Sequence, residues 1–428
     1  MSYNRLERRM AALLDAMPGL RRIAKSGYQR LNYALHGGHR GDLRLAQGAS
    51  IERVPAPPGG AAEDECFFGY FGTSPWSPDG RRYLFHRLPG RGNAVEVCIH
   101  DVASGAARAV ARTVAWNFQQ GSMAQWLPAA VGTDSVVFND RVDDAPGCRI
   151  LDPVGGFRTL PWPIQAVHPR APEALSLNYT RVARVQPEYG YRPAAGMRAD
   201  SPPEMDGLWR VDLRTGNARL LLTIDDLARR ESRPEMRGAR HAVNHAVYSP
   251  RGTRIVFMHR WLGSGGLFSR LYAARADGSE LQLLLDTRMA SHYAWRDEDC
   301  LLVYARAPEA GDCYYLIDAT TGARKAFGHG HLERYGDGHP SFSPDGRWIV
   351  TDSYPDRARM RRLLLCRVDD GEIIEVGAFF SPWRYDGARR CDLHPRWDAG
   401  GRRISIDSSH EGVRATYVVD VARLVGGA

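Results

Sequence analysis

Lysine is almost absent from this chain of 428 residues, which has Lys25 and Lys325 and draws the rest of its positive charge from arginine. A catalytic mechanism that uses a lysine as the base or as a Schiff base is therefore disfavoured. The seven cysteines form no Cys-x-x-Cys pair, which argues against both a disulfide framework and a cysteine zinc site. We expect these cysteines to be reduced thiols.

Long apolar runs are also missing. No stretch approaches the roughly eighteen apolar residues that span a membrane, and the N-terminus lacks the apolar core and cleavage site of a secretory signal. We therefore expect a cytoplasmic protein. The sequence has no Gly-x-Ser-x-Gly elbow, Walker loop, Rossmann fingerprint or His-Glu-x-x-His motif, which weakens the hypotheses of a serine hydrolase, kinase, dehydrogenase or zinc protease.

Positive charge is concentrated at the start of the chain, where residues 1–40 supply +6 of the net charge of +8. Apolar residues recur there at helical spacing and predict a basic amphipathic helix, interrupted at Pro18. This helix either contacts an anionic inner-membrane surface, as a peripheral attachment, or packs its apolar stripe on the domain that follows. The remaining chain is nearly neutral, so we expect no nucleic-acid partner.

Short β-rich segments separated by turns then recur with a period of about fifty residues, which is typical of propeller blades. The clearest marker is an aromatic residue followed by a turn, as in Trp76-Ser-Pro-Asp-Gly and Phe342-Ser-Pro-Asp-Gly. Five further copies lie near Trp126, Leu175, Tyr248, Trp295 and Trp397. The pattern predicts an all-β fold, a seven-bladed β-propeller over residues 64–428, with an N-terminal amphipathic helical extension over residues 1–45 and a linker over residues 46–63.

A histidine lies three residues before the aromatic marker in four successive repeats, at His245, His292, His339 and His394. Because the first strand of a blade lines the central channel, four imidazoles at one repeat position should enter the channel at one level. Asp337 and Asp392 precede the last two histidines by two residues. Such a cluster suits manganese, zinc or iron. The alternative is structural, with each histidine capping the neighbouring blade by a hydrogen bond.

Polar residues about ten positions after each aromatic marker predict an arginine-rich mouth on the same face of the propeller. Arg260 and Arg306 are candidates for contacts to a substrate carboxylate, and His245 is a further candidate catalytic residue. We expect His259, Tyr354 and Arg87 to bind substrate, since aromatic rings can stack on sugar faces and an arginine-rich funnel favours an anionic ligand.

Several motifs resemble those of bacterial oligogalacturonate lyases. They are the histidine-containing Ser-Pro-Asp-Gly repeats, the run Asp337-Gly-His339-Pro, and the closing run Asp392-Leu-His394-Pro-Arg-Trp397 with Asp407-Ser-Ser-His410-Glu-Gly. The resemblance covers roughly residues 70–425 and is strongest after residue 240. It implies a propeller that cleaves an acidic oligo- or polysaccharide of uronic acids by β-elimination, with a divalent metal, manganese in that family, as cofactor.

Counted back from the C-terminus, the resemblance implies that His339 and His394 are metal ligands and that His292 is the base. The terminal ligand run of the family, Gln-x-x-His-x-His, reads here Arg389-x-x-Asp392-x-His394. Asp392 can still bind a hard cation, so it completes the predicted metal set. The arginine at position 389 leaves open a different metal, a different substrate or a lost activity.

Three classes of function follow from the sequence. The first is a polysaccharide lyase, and the second is a non-catalytic propeller that binds an acidic glycan or protein in a bacterial polysaccharide pathway. The third is a hydrolase that uses paired carboxylates such as Asp352 and Asp407. The repeated histidine favours the first class over the third, while the altered ligand run and the N-terminal helix keep the second open.

Overall fold

The computed structural model describes residues 43–426 except 91, 130–131, 133, 153–154, 192–200 and 329, and before them residues 27, 30 and 33–35. Most of the predicted helical extension over residues 1–45 therefore lies outside the described residues. Within the described part, none of the helices is long and apolar enough to cross a membrane.

Seven four-stranded antiparallel sheets make up the described chain, which confirms the predicted seven-bladed β-propeller. Blade 1 contains β2 (Glu65–Phe67), β3 (Arg82–Leu88), β4 (Val95–Asp101) and β5 (Ala107–Thr113). Blade 2 contains β6 (Gln125–Trp126), β7 (Val136–Val142), β8 (Ala145–Leu151) and β9 (Phe157–Leu160). Blade 3 contains β10 (Ala166–Val167), β11 (Glu173–Leu177), β12 (Gly207–Asp212) and β13 (Ala218–Thr223).

The remaining four sheets complete the ring. Blade 4 contains β14 (Arg240–Tyr248), β15 (Arg254–Gly263), β16 (Gly266–Arg275) and β17 (Gln282–Leu285), and blade 5 contains β18 (Ala290–Trp295), β19 (Cys300–Ala307), β20 (Gly311–Asp318) and β21 (Arg324–Phe327). Blade 6 contains β22 (Ser341–Phe342), β23 (Trp348–Asp352), β24 (Met360–Arg367) and β25 (Ile373–Phe380). Blade 7 contains β26 (Arg396–Trp397), β27 (Arg403–Ser408), β28 (Ala415–Asp420) and, from the start of the chain, β1 (Ser50–Arg53).

Short helices lie in the connections. Helix α1 (Tyr179–Val185) lies between β11 and β12, α2 (Ile224–Arg229) between β13 and β14, and α3 (Ala422–Val425) after β28. Single 3₁₀ turns occur at Pro203–Met205, Pro234–Met236, Glu333–Tyr335 and Gly387–Arg389.

The Ser-Pro-Asp-Gly segments form the tight turns between the first and second strands of their blades. In blade 1 the Ser77 hydroxyl donates to Asp79 Oδ1 at 2.5 Å, and the Gly80 N–H donates to the Ser77 carbonyl at 2.8 Å. Gly80 has φ +69°, a conformation that glycine adopts without steric cost. In blade 2 the aromatic marker contacts blade 1, since Trp126 Nε1 donates to the Pro75 carbonyl at 2.9 Å.

The hydrophobic core is divided among the seven gaps between neighbouring blades, each of which holds one cluster of buried apolar side chains. Between blades 4 and 5, for example, Val256 and Met258 of β15 lie in the same cluster as Leu301 and Val303 of β19. A single blade has no core of its own, so each blade depends on both neighbours.

Strand β1 closes the ring by pairing antiparallel with β28, with Ser50 opposite Asp420 and Arg53 opposite Tyr417. The segment 46–63, for which the sequence predicts a linker, thus contains the outer strand of blade 7. Without β1, the outer edge of β28 would be unpaired, and exposed strand edges are a liability in β-proteins. The sequence gives little sign of this strand, because three of its four side chains are exposed.

Deletion of residues 1–54 should lower the melting temperature relative to deletion of residues 1–40. The longer deletion removes β1 and the buried side chain of Val54, whose loss alone costs about 2 kcal/mol of unfolding free energy. Thermal and urea unfolding of the two truncated proteins measure the difference. Identical unfolding curves would show that β1 contributes nothing to closure of the ring.

Candidate functional site

An aromatic segment that follows β2 lies among the four repeated histidines. In the run Phe-Phe-Gly-Tyr-Phe-Gly of residues 67–72, Tyr70 and Phe71 are both buried. Gly69 has φ +118°, and a Cβ atom there would lie 2.5 Å from the backbone carbon of Gln120, so no larger residue fits without a backbone shift. This close approach lets the segment reach the channel.

Three of the four histidines form one cluster around Phe71. The ring centroids of His292 and His339 are 4.1 Å apart, and those of His339 and His394 are 4.3 Å apart. Phe71 lies 5.2 to 6.2 Å from all three imidazoles. One repeat position therefore brings imidazoles from blades 5, 6 and 7 together.

His245, from blade 4, is set apart from this cluster. Its ring stacks on Tyr70 at a centroid distance of 4.7 Å and lies edge-on to Tyr189 at 4.8 Å. His245 has φ +55° at a register irregularity of β14, and burial lowers its pKa well below the ordinary value. The structure thus places His245 against Tyr70 and outside the wall of the main cavity, apart from the other three histidines.

The predicted metal set has geometry suited to a cation. His339, Asp392 and His394 are buried, and one potential ligand atom of each lies within 4.8 Å of the others. The Nε2 atoms of His339 and His394 are buried and have no hydrogen-bond partner among the described residues. Two imidazole nitrogens and a carboxylate oxygen form a donor set that suits manganese, zinc or iron. The residues present therefore fit a divalent metal.

Asp352, the last residue of β23, holds the two histidines in place. Its Oδ1 accepts hydrogen bonds from the backbone N–H and from Nδ1 of His339, at 2.9 and 2.8 Å, and its Oδ2 accepts from the backbone N–H of His394 at 3.1 Å. Because Nδ1 of His339 is engaged by Asp352, Nε2 is the ring nitrogen left for another partner. A carboxylate behind a histidine is the usual arrangement that orients a metal ligand.

His292 is held by a carboxylate of the next blade. Its Nδ1 donates to Asp337 Oδ1 at 3.0 Å, and Asp337 Oδ2 accepts a hydrogen bond from the Ser291 hydroxyl at 2.6 Å. Burial lowers the pKa of His292, although Asp337 opposes this effect. Nε2 of His292 is therefore the atom that can accept a proton.

Asp392 is in contact with two arginines that the sequence analysis did not single out. Its Oδ1 lies 2.7 Å from Arg361 Nη1, and its Oδ2 accepts a hydrogen bond from Arg390 Nε at 2.7 Å. Burial raises the pKa of Asp392, but the two guanidinium groups outweigh burial and hold this pKa well below the ordinary value. Asp392 is therefore ionised.

The neighbouring Arg389 does not take part in the cluster. Its side chain is 53% exposed and pairs with Glu65 at the rim of blade 1. Arg390, whose side chain is 18% exposed, is instead the residue that reaches Asp392. The ligand run in the sequence does not show which of the two adjacent arginines points to Asp392. The directions of their side chains depend on the 3₁₀ turn Gly387–Arg389.

A cavity of about 600 Å³, within the size range of ligand sites, borders the cluster at His292, while His339, Asp392 and His394 lie outside its wall. Its wall contains five arginines and four carboxylates, together with His292 and Tyr354. Three of the predicted site residues, Arg260, His292 and Tyr354, belong to this wall. A polar cavity rich in arginine can bind an anionic ligand.

The structure does not bring three of the predicted substrate contacts to this cavity. Arg306 lies on the exposed end of the β19–β20 hairpin, with 62% of its side chain exposed, and forms an ion pair with Asp312. Arg87 is paired with Glu96 at 2.6 Å in blade 1. His259 is fully buried in blade 4. None of the three belongs to the wall of the cavity.

His259 belongs to a buried chain of hydrogen bonds. Arg270 Nε donates to His259 Nδ1 at 3.2 Å, so His259 Nε2 donates to His241 Nδ1 at 2.9 Å, and His241 Nε2 donates to the Met236 carbonyl at 3.2 Å. Both imidazoles must be neutral for this arrangement. Burial, aided by Arg270, lowers the pKa of each histidine.

We predict that the variant His259→Gln weakens the acid sensitivity of folding. Because the folded-state pKa of His259 lies below its unfolded value of about 6.5, the unfolded chain takes up a proton that the folded chain does not, and stability is lost as the pH falls below about 6.5. Urea unfolding from about pH 7.5 to about pH 5 should show a slope reduced by up to about 1.4 kcal/mol per pH unit in the variant. Equal slopes would contradict a neutral buried His259.

The carboxylates of the hydrolase hypothesis are engaged within the fold. Asp352 accepts from His339 and His394 as described, and Asp407 accepts from the backbone N–H groups of Phe68 and Gly69 at 3.0 and 3.1 Å. Neither belongs to the cavity wall. These two groups are therefore poorly placed for acid and base roles on a bound sugar.

The fold and the cluster define a seven-bladed propeller with a histidine cluster that borders an arginine-lined cavity. No protein-family model and no curated protein matches the sequence. Solved structures do match. An oligogalacturonate lyase in complex with manganese shares 16% identity with a TM-score of 0.62, and the match covers 89% of this chain and 95% of that one.

A second oligogalacturonate lyase, from Vibrio parahaemolyticus, shares 12% identity with a TM-score of 0.60, and the match covers 89% of this chain and 96% of that one. At such identities the likeness establishes a shared fold. The resemblance predicted from the sequence motifs is thus confirmed at the level of the fold.

Several residues of the site were missed by sequence reasoning. Tyr70 and Phe71 carried a signal, since the aromatic run of residues 67–72 directly precedes the first repeat marker. Arg361 carried none, because it is one of several arginines in a strand of blade 6. Tyr189, whose hydroxyl accepts from Arg390 Nη2 at 2.6 Å, lies in a connection with no repeat pattern.

Proposed function

We propose that this propeller is a polysaccharide lyase that cleaves an acidic oligo- or polysaccharide of uronic acids by β-elimination. The observation that carries the proposal is the clustering of His292, His339, His394 and Asp392, with His292 in the wall of a cavity lined by arginine. A lyase acting on uronate needs a base of suitable pKa and positive charge for the substrate carboxylate. His292 is the proposed base, and the arginines of the cavity wall are the proposed source of positive charge.

In the proposed reaction, Nε2 of His292 takes the proton from the carbon next to the uronate carboxylate. The electron pair of that C–H bond forms a carbon–carbon double bond, and the bond from the adjacent carbon to the glycosidic oxygen breaks. That oxygen then takes up a proton, which yields one unsaturated uronate end and one free hydroxyl. Asp337, 3.0 Å from His292 Nδ1, stabilises the imidazolium that forms.

The substrate carboxylate needs positive charge, because removing a proton beside it creates a second negative charge. Arg260, in the cavity wall, is the proposed guanidinium contact, and Tyr354 is the proposed stacking surface for a sugar ring. Both residues lie on the same cavity as His292. Arg306, Arg87 and His259 are not part of the proposed site.

His339, His394 and Asp392 are the proposed ligands of a divalent metal. A bound divalent ion would supply further positive charge to stabilise the developing dianion. Manganese is our proposal for its identity, supported by the donor set and by the manganese complex among the structural neighbours. The free cysteines fit a reducing compartment, so we place the activity in the cytoplasm. Peripheral membrane contact through residues 1–40 stays a prediction, since most of that segment lies outside the described residues.

A panel of uronic-acid polymers and oligomers, incubated with the purified protein and Mn²⁺, tests the proposal. We expect ultraviolet absorbance from unsaturated uronate products, and removal of the metal with a chelator should abolish it. Release of reducing ends without this absorbance would indicate a hydrolase. Binding of an acidic glycan with neither signal would indicate the non-catalytic propeller, which is the alternative function.

A further inference from the structure

The carboxylate of Asp392, a proposed metal ligand, is paired with two guanidinium cations. Arg361 Nη1 lies 2.7 Å from Oδ1, and Arg390 Nε lies 2.7 Å from Oδ2. His394 Nε2 lies 4.0 Å from Oδ2. Asp392 itself is fully buried, so water screens these charges little. A divalent ion bound by the same carboxylate would therefore meet two guanidinium groups at close range.

The two arginines are held in different ways. Arg390 is fixed from two sides, since its Nε donates to Asp392 and its Nη2 donates to the Tyr189 hydroxyl at 2.6 Å. Arg361 has Asp392 as its charged partner, and the geometry of that contact is that of an ion pair without a hydrogen bond. Its Nε and Nη1 atoms are buried without a hydrogen-bond partner among the described residues. Arg361 is thus the less constrained of the two.

Arg361 also borders the cavity, where its guanidinium group can meet a second partner. It belongs to the wall of the 600 Å³ cavity, and its guanidinium carbon lies 6.0 Å from the centre of the Tyr354 ring. An anion that enters the cavity could pair with this guanidinium in place of Asp392. The same side chain therefore borders both the candidate metal set and the candidate substrate cavity.

From this arrangement we infer that Arg361 competes with the metal ion for the Asp392 carboxylate, and that an anionic ligand in the cavity relieves the competition by taking Arg361 as its partner. The inference rests on the metal site of the proposed function. Metal and acidic ligand then strengthen each other's binding, because a coupling between two sites acts equally in both directions.

Isothermal titration of the metal-free protein with Mn²⁺ tests the competition. Arg361→Gln should raise the affinity for Mn²⁺ by at least about tenfold, because the competing charge is removed. Arg361→Lys keeps a charge and should remain near the wild type. Arg260→Gln is the matched control: it removes the same charge from the same cavity without touching Asp392, and we expect a change of less than about threefold. A wild-type affinity in Arg361→Gln, or an equal gain in Arg260→Gln, would overturn the inference.

A double-mutant cycle with Asp392→Asn shows whether the effect passes through this carboxylate. In the Asp392→Asn background, Arg361→Gln should no longer raise the affinity for Mn²⁺, because there is no ionised carboxylate to compete for. The same gain in both backgrounds would reduce the effect to general electrostatics and would contradict the inference.

The relief by an anion is measured first in the wild-type protein and then compared with its size in Arg361→Gln. Galacturonate should raise the affinity of the wild type for Mn²⁺ and leave that of Arg361→Gln unchanged. No gain in the wild type, or an equal gain in both proteins, would overturn the exchange. These titrations need no turnover, so failure of the competition is distinct from failure of the lyase proposal, which is decided by product formation.

Discussion

Replacement of His292 by alanine is expected to abolish turnover while leaving the bound metal in place. His292 lies on the cavity wall, and its Nδ1 is held by Asp337, so its loss removes the proposed base. General bases typically contribute about 10² to 10⁴ in rate, and we expect a fall in kcat of this size. The metal ligands His339 and His394 have their own support from Asp352, so metal content should not change. Product absorbance and elemental analysis measure the two quantities.

The histidine-matched control for this variant is His100→Ala. His100 lies on β4 of blade 1, outside the wall of the cavity, and should show wild-type turnover and metal content. Loss of metal from His292→Ala would place His292 among the ligands instead. Unchanged turnover would remove the histidine base from the proposed mechanism.

The double variant His339→Ala/His394→Ala is expected to lose both bound metal and activity. These side chains provide the two buried Nε2 atoms that lack hydrogen-bond partners among the described residues, and Asp392 alone is a weak cation site. Metal content should fall from one equivalent to background, and product formation should fall with it. Elemental analysis after dialysis, with thermal unfolding as a check on folding, makes the measurement.

Metal analysis of the double variant can also contradict the proposed ligand set. Full retention of metal would show that the ion binds elsewhere in the protein, and the repeated histidine would become a packing feature around Phe71. Our preference would then move to the non-catalytic propeller. Metal content needs no substrate, so this result does not depend on knowing the natural glycan.

The sequence by itself determined the architecture and the place of the cluster. Seven aromatic-turn repeats predicted seven blades because each turn depends on local chemistry, as in the Ser77 to Asp79 hydrogen bond and the positive φ of Gly80. One repeat position predicted that His245, His292, His339 and His394 meet, because equivalent positions in a closed ring lie at the same height around the axis, and three of the four do.

The tertiary structure decided which side chains act together. Asp337 holds His292 of the preceding blade rather than the histidine of its own repeat, and Arg390 rather than Arg389 reaches Asp392. Polar residues at strand ends looked alike in the sequence, yet Tyr354 faces the cavity while His259 is fixed in a buried chain by Arg270. A repeat period gives the height of a residue in its blade. The direction of its side chain depends on partners in other blades and connections, which are far away in the sequence and carry no periodic signal.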